Sequence, residues 1–303
     1  MKRALVCMVM VAVLAGAAFG ADKPVVVGSK IDTEGNLLGK MIVKLLMARG
    51  IPVVDKVGFG TTSVVRKAII AGELDLYPEY TGNGEFFFNG TDPGVWKNEA
   101  EGYQTVRKMD LDTNGIVWLT PAPANNTWAI AVRKDLAGKE KLVTLDDLAR
   151  YVNAGGAVKL AGSEEFISSA AALPAFQKAY GFSLKNSQLV SLSGGNTALT
   201  EAAAARGTDG VNFCMAYGTD GSLFSLGLVV LTDTRGVQPI YEPAPIVRKE
   251  TLARYPAIDS ILAPVFKTLD LTTLQSLNAR IAVNGESADA VAADYLKQKG
   301  FLK

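Results

Sequence analysis

The first third of the chain alternates between two hydrophobic periods, and that alternation constrains the fold more than any other feature. Val25-Val26-Val27-Gly28 is a short apolar run ending in a turn, the mark of a strand. Leu37, Leu38, Met41, Ile42, Leu45 and Leu46 then recur at helical spacing, with Thr33 as the expected cap and Gly50 closing the element. Val53-Val54 opens a second strand that leads to Gly58-Phe59-Gly60. Thr61 or Thr62 caps a second helix, in which Val64, Val65, Ala68 and Ile69 share a face, and Leu74-Asp75-Leu76-Tyr77 resumes extended structure. Strand, helix, strand, helix, strand predicts an α/β fold with a largely parallel sheet and a ligand crevice beyond the carboxyl ends of its strands.

The middle of the chain repeats the theme. Strands are expected at 128–132, 159–161 and 211–217, and helices at 145–151, 173–180 and 197–206. Two segments read as crossings between lobes: 121–127, rich in Pro, Ala and Asn, and 236–245, which contains Pro239 and Pro243 and ends at Pro245. Two crossings predict one lobe made from both chain ends, 21–125 plus 238–303, and a second made from 126–237. The helices expected at 262–269 and 288–299 then return to the first lobe.

Met1-Lys2-Arg3 precedes an almost unbroken apolar stretch from Ala4 to Phe19, and a polar segment follows at once. That layout predicts a cleaved secretory signal over 1–20, with Ala21 as the new N-terminus. Cys7 lies inside the apolar core, so lipidation is not expected, and its removal leaves Cys214 without an intramolecular partner. Losing Lys2 and Arg3 takes the formal charge from +1 to −1, and no later block carries one sign, so nucleic acid is not an expected partner. The chain has no histidine. This removes the usual general base, the commonest transition-metal ligand and every Ser-His or Cys-His arrangement, so no catalytic residue, metal or cofactor is expected.

Five segments occur in a recognisable order: Val27-Gly28-Ser29-Lys30, Asp75 through Asn83 with Glu79-Tyr80-Thr81-Gly82 at its centre, Asn125-Asn126-Thr127-Trp128, Ala216 through Gly221, and Tyr241 through Val247. In this series the mature chain resembles the osmoprotectant-binding proteins of ABC importers, most closely the OsmF type. The resemblance implies the two-lobed periplasmic-binding fold, closing over its ligand like a hinged trap. It also implies a periplasmic location and a membrane permease with its ATPase as partners; monomer is the default state. The implied ligand is a small quaternary-ammonium osmolyte, glycine betaine or choline, held in an aromatic cage whose walls fall on Tyr80, Trp128, Tyr217 and Tyr241.

Aromatic rings suit such a ligand for a physical reason. A trimethylammonium group spreads its charge over methyl hydrogens and cannot be neutralised by losing a proton. The ring quadrupole attracts the cation at roughly 0.5 to 2 kcal/mol per ring, and the methyl groups gain apolar contact. By the same resemblance Lys30 and Asn83 meet the polar end of the ligand. Ser169 stands where relatives commonly carry an arginine in a Glu-Phe-x-x-Arg stretch, and Gly35 where several carry a glutamine. A serine cannot make the forked charge-assisted pair of an arginine, which raises choline relative to glycine betaine.

Two rival readings are weighed on residues. A cationic amino acid as ligand would call on Glu79, Glu85 and Asp220. An enzyme on the same fold would call on Gly58-Phe59-Gly60-Thr61-Thr62 as a phosphate cradle, but that stretch lacks the lysine and spacing of a phosphate-binding loop.

Overall fold

The computed structural model describes residues 23–192 and 197–303. The expected signal over 1–20, Ala21 and Cys7 lie outside the described residues.

Among the described residues, ten strands form two five-stranded sheets. The first sheet contains β1 (Val25–Lys30), β2 (Val53–Gly60), β3 (Leu76–Tyr80) and β4 (Ile116–Trp118) from the start of the chain. The second contains β5 (Trp128–Arg133), β6 (Leu160–Ser163), β7 (Leu189–Leu192), β8 (Phe213–Tyr217) and β9 (Leu228–Val230). A last strand, β10 (Pro243–Arg248), returns to the first sheet. The orders are β2-β1-β3-β10-β4 and β7-β6-β8-β5-β9, so in each sheet three parallel strands are followed by two in antiparallel pairing. The expected α/β class with two lobes is thus observed, each lobe a mostly parallel sheet between layers of helix.

Alternation along β1 shows how the layers form. Val25 and Val27 enter one apolar cluster and Val26 packs against another on the opposite face, the period of two that any strand imposes. The first cluster takes the stripe Leu37, Leu38, Met41, Ile42, Leu45 and Leu46 of the helix Thr33–Ala48. It also takes Leu262, Phe266, Leu274, Val291 and Leu296 from the helices Ala257–Phe266, Leu271–Ala282 and Ala288–Gln298, so the end of the chain packs onto its beginning. In the second lobe, Ile130, Leu160, Phe176 and Phe213 belong to one cluster, and Ala131, Ala161, Cys214 and Ala216 to the other.

Two sequence expectations are corrected and one unexpected helix is added. The cap of the first helix is Asp32, whose carboxylate accepts the Gly35 N–H at 2.7 Å; Thr33 is already helical. The helix Glu99–Asn114 was unforeseen because it buries only Gly102, Val106 and Asp110, too sparse a stripe to read as a period. Part of the second proline-rich crossing, from Pro243, is strand. Pro243 and Pro245 turn their carbonyls to the N–H groups of Ala122 and Leu119, past the end of β4, and Pro245 faces Pro78 across the register with β3. Their missing N–H groups fall where no partner strand requires them.

Candidate functional site

A cleft of about 970 Å³ opens between the lobes. The sheets meet it by their strand ends. Tyr80 is the last residue of β3, and Tyr241 precedes β10, whose Pro243 is paired with Tyr80. From the other lobe, Trp128 begins β5 and Tyr217 ends β8, and the antiparallel register pairs them directly. All four aromatic residues line the cleft, with Lys30 and Asn83.

Each ring is held. Trp128 donates its indole N–H to the Tyr217 hydroxyl at 3.0 Å and meets Phe166 edge-on, with ring centroids 6.1 Å apart. Tyr80 is buried and donates its hydroxyl to Glu34 Oε1 at 2.8 Å. Tyr241 lies against Gly82, where a Cβ would come within 2.7 Å of the ring, so the residue after Thr81 must be glycine for the wall to stand there. Burial pushes the Tyr217 and Tyr241 hydroxyls up, and that of Tyr80 well up. All three rings are therefore neutral at physiological pH and keep the electron-rich faces that attract a cation.

The polar groups are arranged differently from the sequence expectation. Lys30 and Asn83 both line the cleft, but both turn their donors onto Glu79: the Lys30 ammonium lies 2.6 Å from Glu79 Oε1, and Asn83 Nδ2 donates to the same oxygen at 2.7 Å. Glu79 is fully buried and also accepts the Tyr77 hydroxyl and the Tyr80 N–H, both at 2.8 Å. The Lys30 ammonium sits 4.3 Å from the centroid of Tyr80, so this ring already carries one cation. Ser169 does not line the cleft. It caps the C-terminal end of the helix Glu164–Ser168, and its hydroxyl accepts the Ala171 N–H at 3.3 Å; Glu165, one turn earlier, faces the cleft instead. Glu85 is likewise absent from the lining, whereas Asp220 is present and accepts the Tyr217 N–H at 2.7 Å.

Sequence reasoning missed three residues here. Glu34 and Asn278 line the cleft, and Glu201 is buried behind it against Asp220. Glu34 and Asn278 sit on the apolar stripe of a helix, Glu34 three and four positions before Leu37 and Leu38 and Asn278 beside Leu274 and Leu277, whereas Glu201 shares its buried face with Thr197, Thr200 and Ala204. A polar residue on a buried stripe was the available signal. Burial, and then the charge of Asp220, pushes the Glu201 carboxyl up to about 9, so it is protonated at neutral pH. The cleft walls carry Asp32, Glu34, Glu165 and Asp220 against Lys30, whose charge is matched by Glu79. The cleft therefore has an acidic lining that favours cations.

Comparison with known proteins identifies the family of the chain and several relatives. Residues 23–298 match the family described as the substrate binding domain of ABC-type glycine betaine transport systems. The glycine betaine-binding protein YehZ of Escherichia coli is 60% identical over 283 residues, covering 93% of each chain. A glycine-betaine-binding protein of Pseudomonas aeruginosa is 30% identical over 284 residues, 91% of this chain and 88% of that one. The solved structure of apo YehZ superposes with a TM-score of 0.85, covering 92% of this chain and 99% of that one. Among the described residues, no helix is long and apolar enough to cross a membrane.

Proposed function

Because the chain belongs to the family of substrate-binding domains of ABC-type glycine betaine transport systems, we propose that it captures a quaternary-ammonium osmolyte, glycine betaine or choline, for an ABC importer. The cage is Tyr80, Trp128, Tyr217 and Tyr241. One observation carries the reading: four aromatic residues, two from each sheet's side of the molecule, line a single cleft. A fixed cation that cannot donate hydrogen bonds is the ligand class such a lining suits, and the acidic walls add long-range attraction.

The proposal extends to the rest of the assembly. The protein works by binding and release, without catalysis, after export to the periplasm behind the cleaved leader 1–20, and hands its ligand to a membrane permease driven by an ATPase. It acts as a monomer of two lobes, 21–125 plus 238–303 and 126–237. Lys30 and Asn83 shape the polar end of the cage through Glu79, and Ser169, outside the lining, is left without a role in it.

Isothermal titration of the purified mature protein with glycine betaine, choline and arginine tests this. Saturable heat is expected with one or both quaternary amines and none with arginine. Binding of arginine alone, or of none of the three, would overturn the reading.

A further inference from the structure

Of the carboxyl groups on the cleft walls, Glu34 is the one held by groups from both lobes. Glu34 lies in the first turn of the helix Thr33–Ala48 and is buried between groups contributed by both lobes. Its Oε1 accepts the Tyr80 hydroxyl at 2.8 Å and, more distantly, Asn126 Nδ2 at 3.4 Å; its Oε2 accepts Asn278 Nδ2 at 2.7 Å. Asn278 Nδ2 also donates to the Thr219 carbonyl at 3.0 Å, and the Thr219 side chain bonds Glu34. An ionised Glu34 is thus supplied with donors. Yet the Oδ1 atoms of Asn126 and Asn278 are both buried without a hydrogen-bond partner. Each is an acceptor that a protonated Glu34 can use once the amide turns. The pocket is equipped for both states of one carboxyl group.

We infer that Glu34 is the proton-linked counter-charge of the site: seating a quaternary cation in the cage ionises Glu34 and releases its proton to solvent. The inference rests on the functional reading above. The cation would lie on a ring whose hydroxyl bonds Glu34, close enough that at an effective dielectric of ~20 the attraction biases the proton equilibrium roughly ten- to a hundredfold. Burial already pushes the free carboxyl up to about 7, the hydrogen bonds from Thr219, Tyr80 and Asn278 opposing and Asp32 reinforcing it. The other charged groups facing this point are engaged elsewhere, although burial also pushes the Asp220 carboxyl up. Lys30 from β1 is held by Glu79 of β3, Asp220 follows β8 beside a protonated Glu201, and Arg280 on the helix of Asn278 is committed to Glu286 and Asp294.

The sign follows. The bound state prefers ionised Glu34, so affinity rises with pH through the free value near 7. Titrating the mature protein with choline and with glycine betaine at pH 7, in phosphate and in Tris, should show about half a proton released per ligand, since a group at its own pKa is half protonated. Affinity should rise roughly five- to tenfold between pH 6 and pH 8. Glu34→Gln should bind with no proton release and a flat pH profile. Glu242→Gln, which removes another acid that burial pushes up to about 7 but that does not line the cleft, should behave as the parent.

Parent protein that binds without releasing protons overturns the inference and leaves the functional reading intact, as does release that survives in Glu34→Gln. If Glu34→Gln fails to fold, the carbon-13 carboxyl resonance of Glu34 in the parent decides: its midpoint must fall when choline is added. Absence of binding by the parent overturns both proposals.

Discussion

Tyr217→Ala is expected to weaken capture of a quaternary amine by thirtyfold or more in isothermal titration, whereas Tyr217→Phe costs only a few-fold. Two losses combine in the alanine variant. The ring itself supplies roughly 0.5–2 kcal/mol of cation–π attraction. Its hydroxyl also accepts the Trp128 indole N–H at 3.0 Å, so removing Tyr217 frees the facing wall as well. Together about 2–3 kcal/mol is at stake, which corresponds to ~30–150-fold in affinity. Tyr217→Leu separates the two contributions to the contact: it keeps apolar area but has no quadrupole. If leucine binds as well as phenylalanine, the ring acts only as a greasy surface and the cage mechanism fails. A thermal melt of each variant checks that the fold survives.

The second large effect concerns stability. Glu79→Ala should destabilise the protein by about 3–5 kcal/mol, because four donors lose one fully buried acceptor and the Lys30 ammonium, itself buried, is left unpaired. Urea unfolding gives the measurement: the midpoint should fall with little change in slope. Glu79→Gln combined with Lys30→Met should recover much of the loss, since a neutral pair leaves no isolated charge in the interior. If Glu79→Ala costs less than ~1 kcal/mol, the four contacts are not worth what their burial implies.

The fold was legible where one face of an element is apolar and the other is not. The helix Leu173–Tyr180 falls where its spacing puts it, the alanine-rich helix Thr197–Arg206 where its composition puts it, and β5 begins at Trp128 as expected. Legibility failed where that contrast is missing, as in the polar helix Glu99–Asn114, or where a residue type argues against its own element, as the prolines of β10 do. The cage residues were legible only through resemblance to relatives, since a tyrosine at a strand end announces nothing by itself. Lys30 and Asn83 show a different limit. Their positions at the cleft were foreseen, but their partner was not, because Glu79 looks like any acid in a loop until the register of β3 buries it. Glu34 and Asn278 were readable in principle, as polar residues interrupting an apolar stripe, whereas Glu201 lies on a face that is mostly polar.

The place of β10 sets the order in which the molecule can be assembled. Its two neighbours, β3 and β4, are complete by residue 118, but β10 begins at residue 243, about 125 residues later in synthesis. Until then both neighbours present unpaired edges, the state most prone to pairing with another chain. The second sheet, whose strands all lie between residues 128 and 230, waits for nothing downstream. It is therefore the natural first foldon, with the first sheet closing on it through a long and entropically slow loop. Pulse-labelled hydrogen exchange during refolding should find the amides of β5, β6 and β8 protected before those of β3. The cleft is thus completed only at the last step, when the final fifth of the chain inserts β10 between β3 and β4.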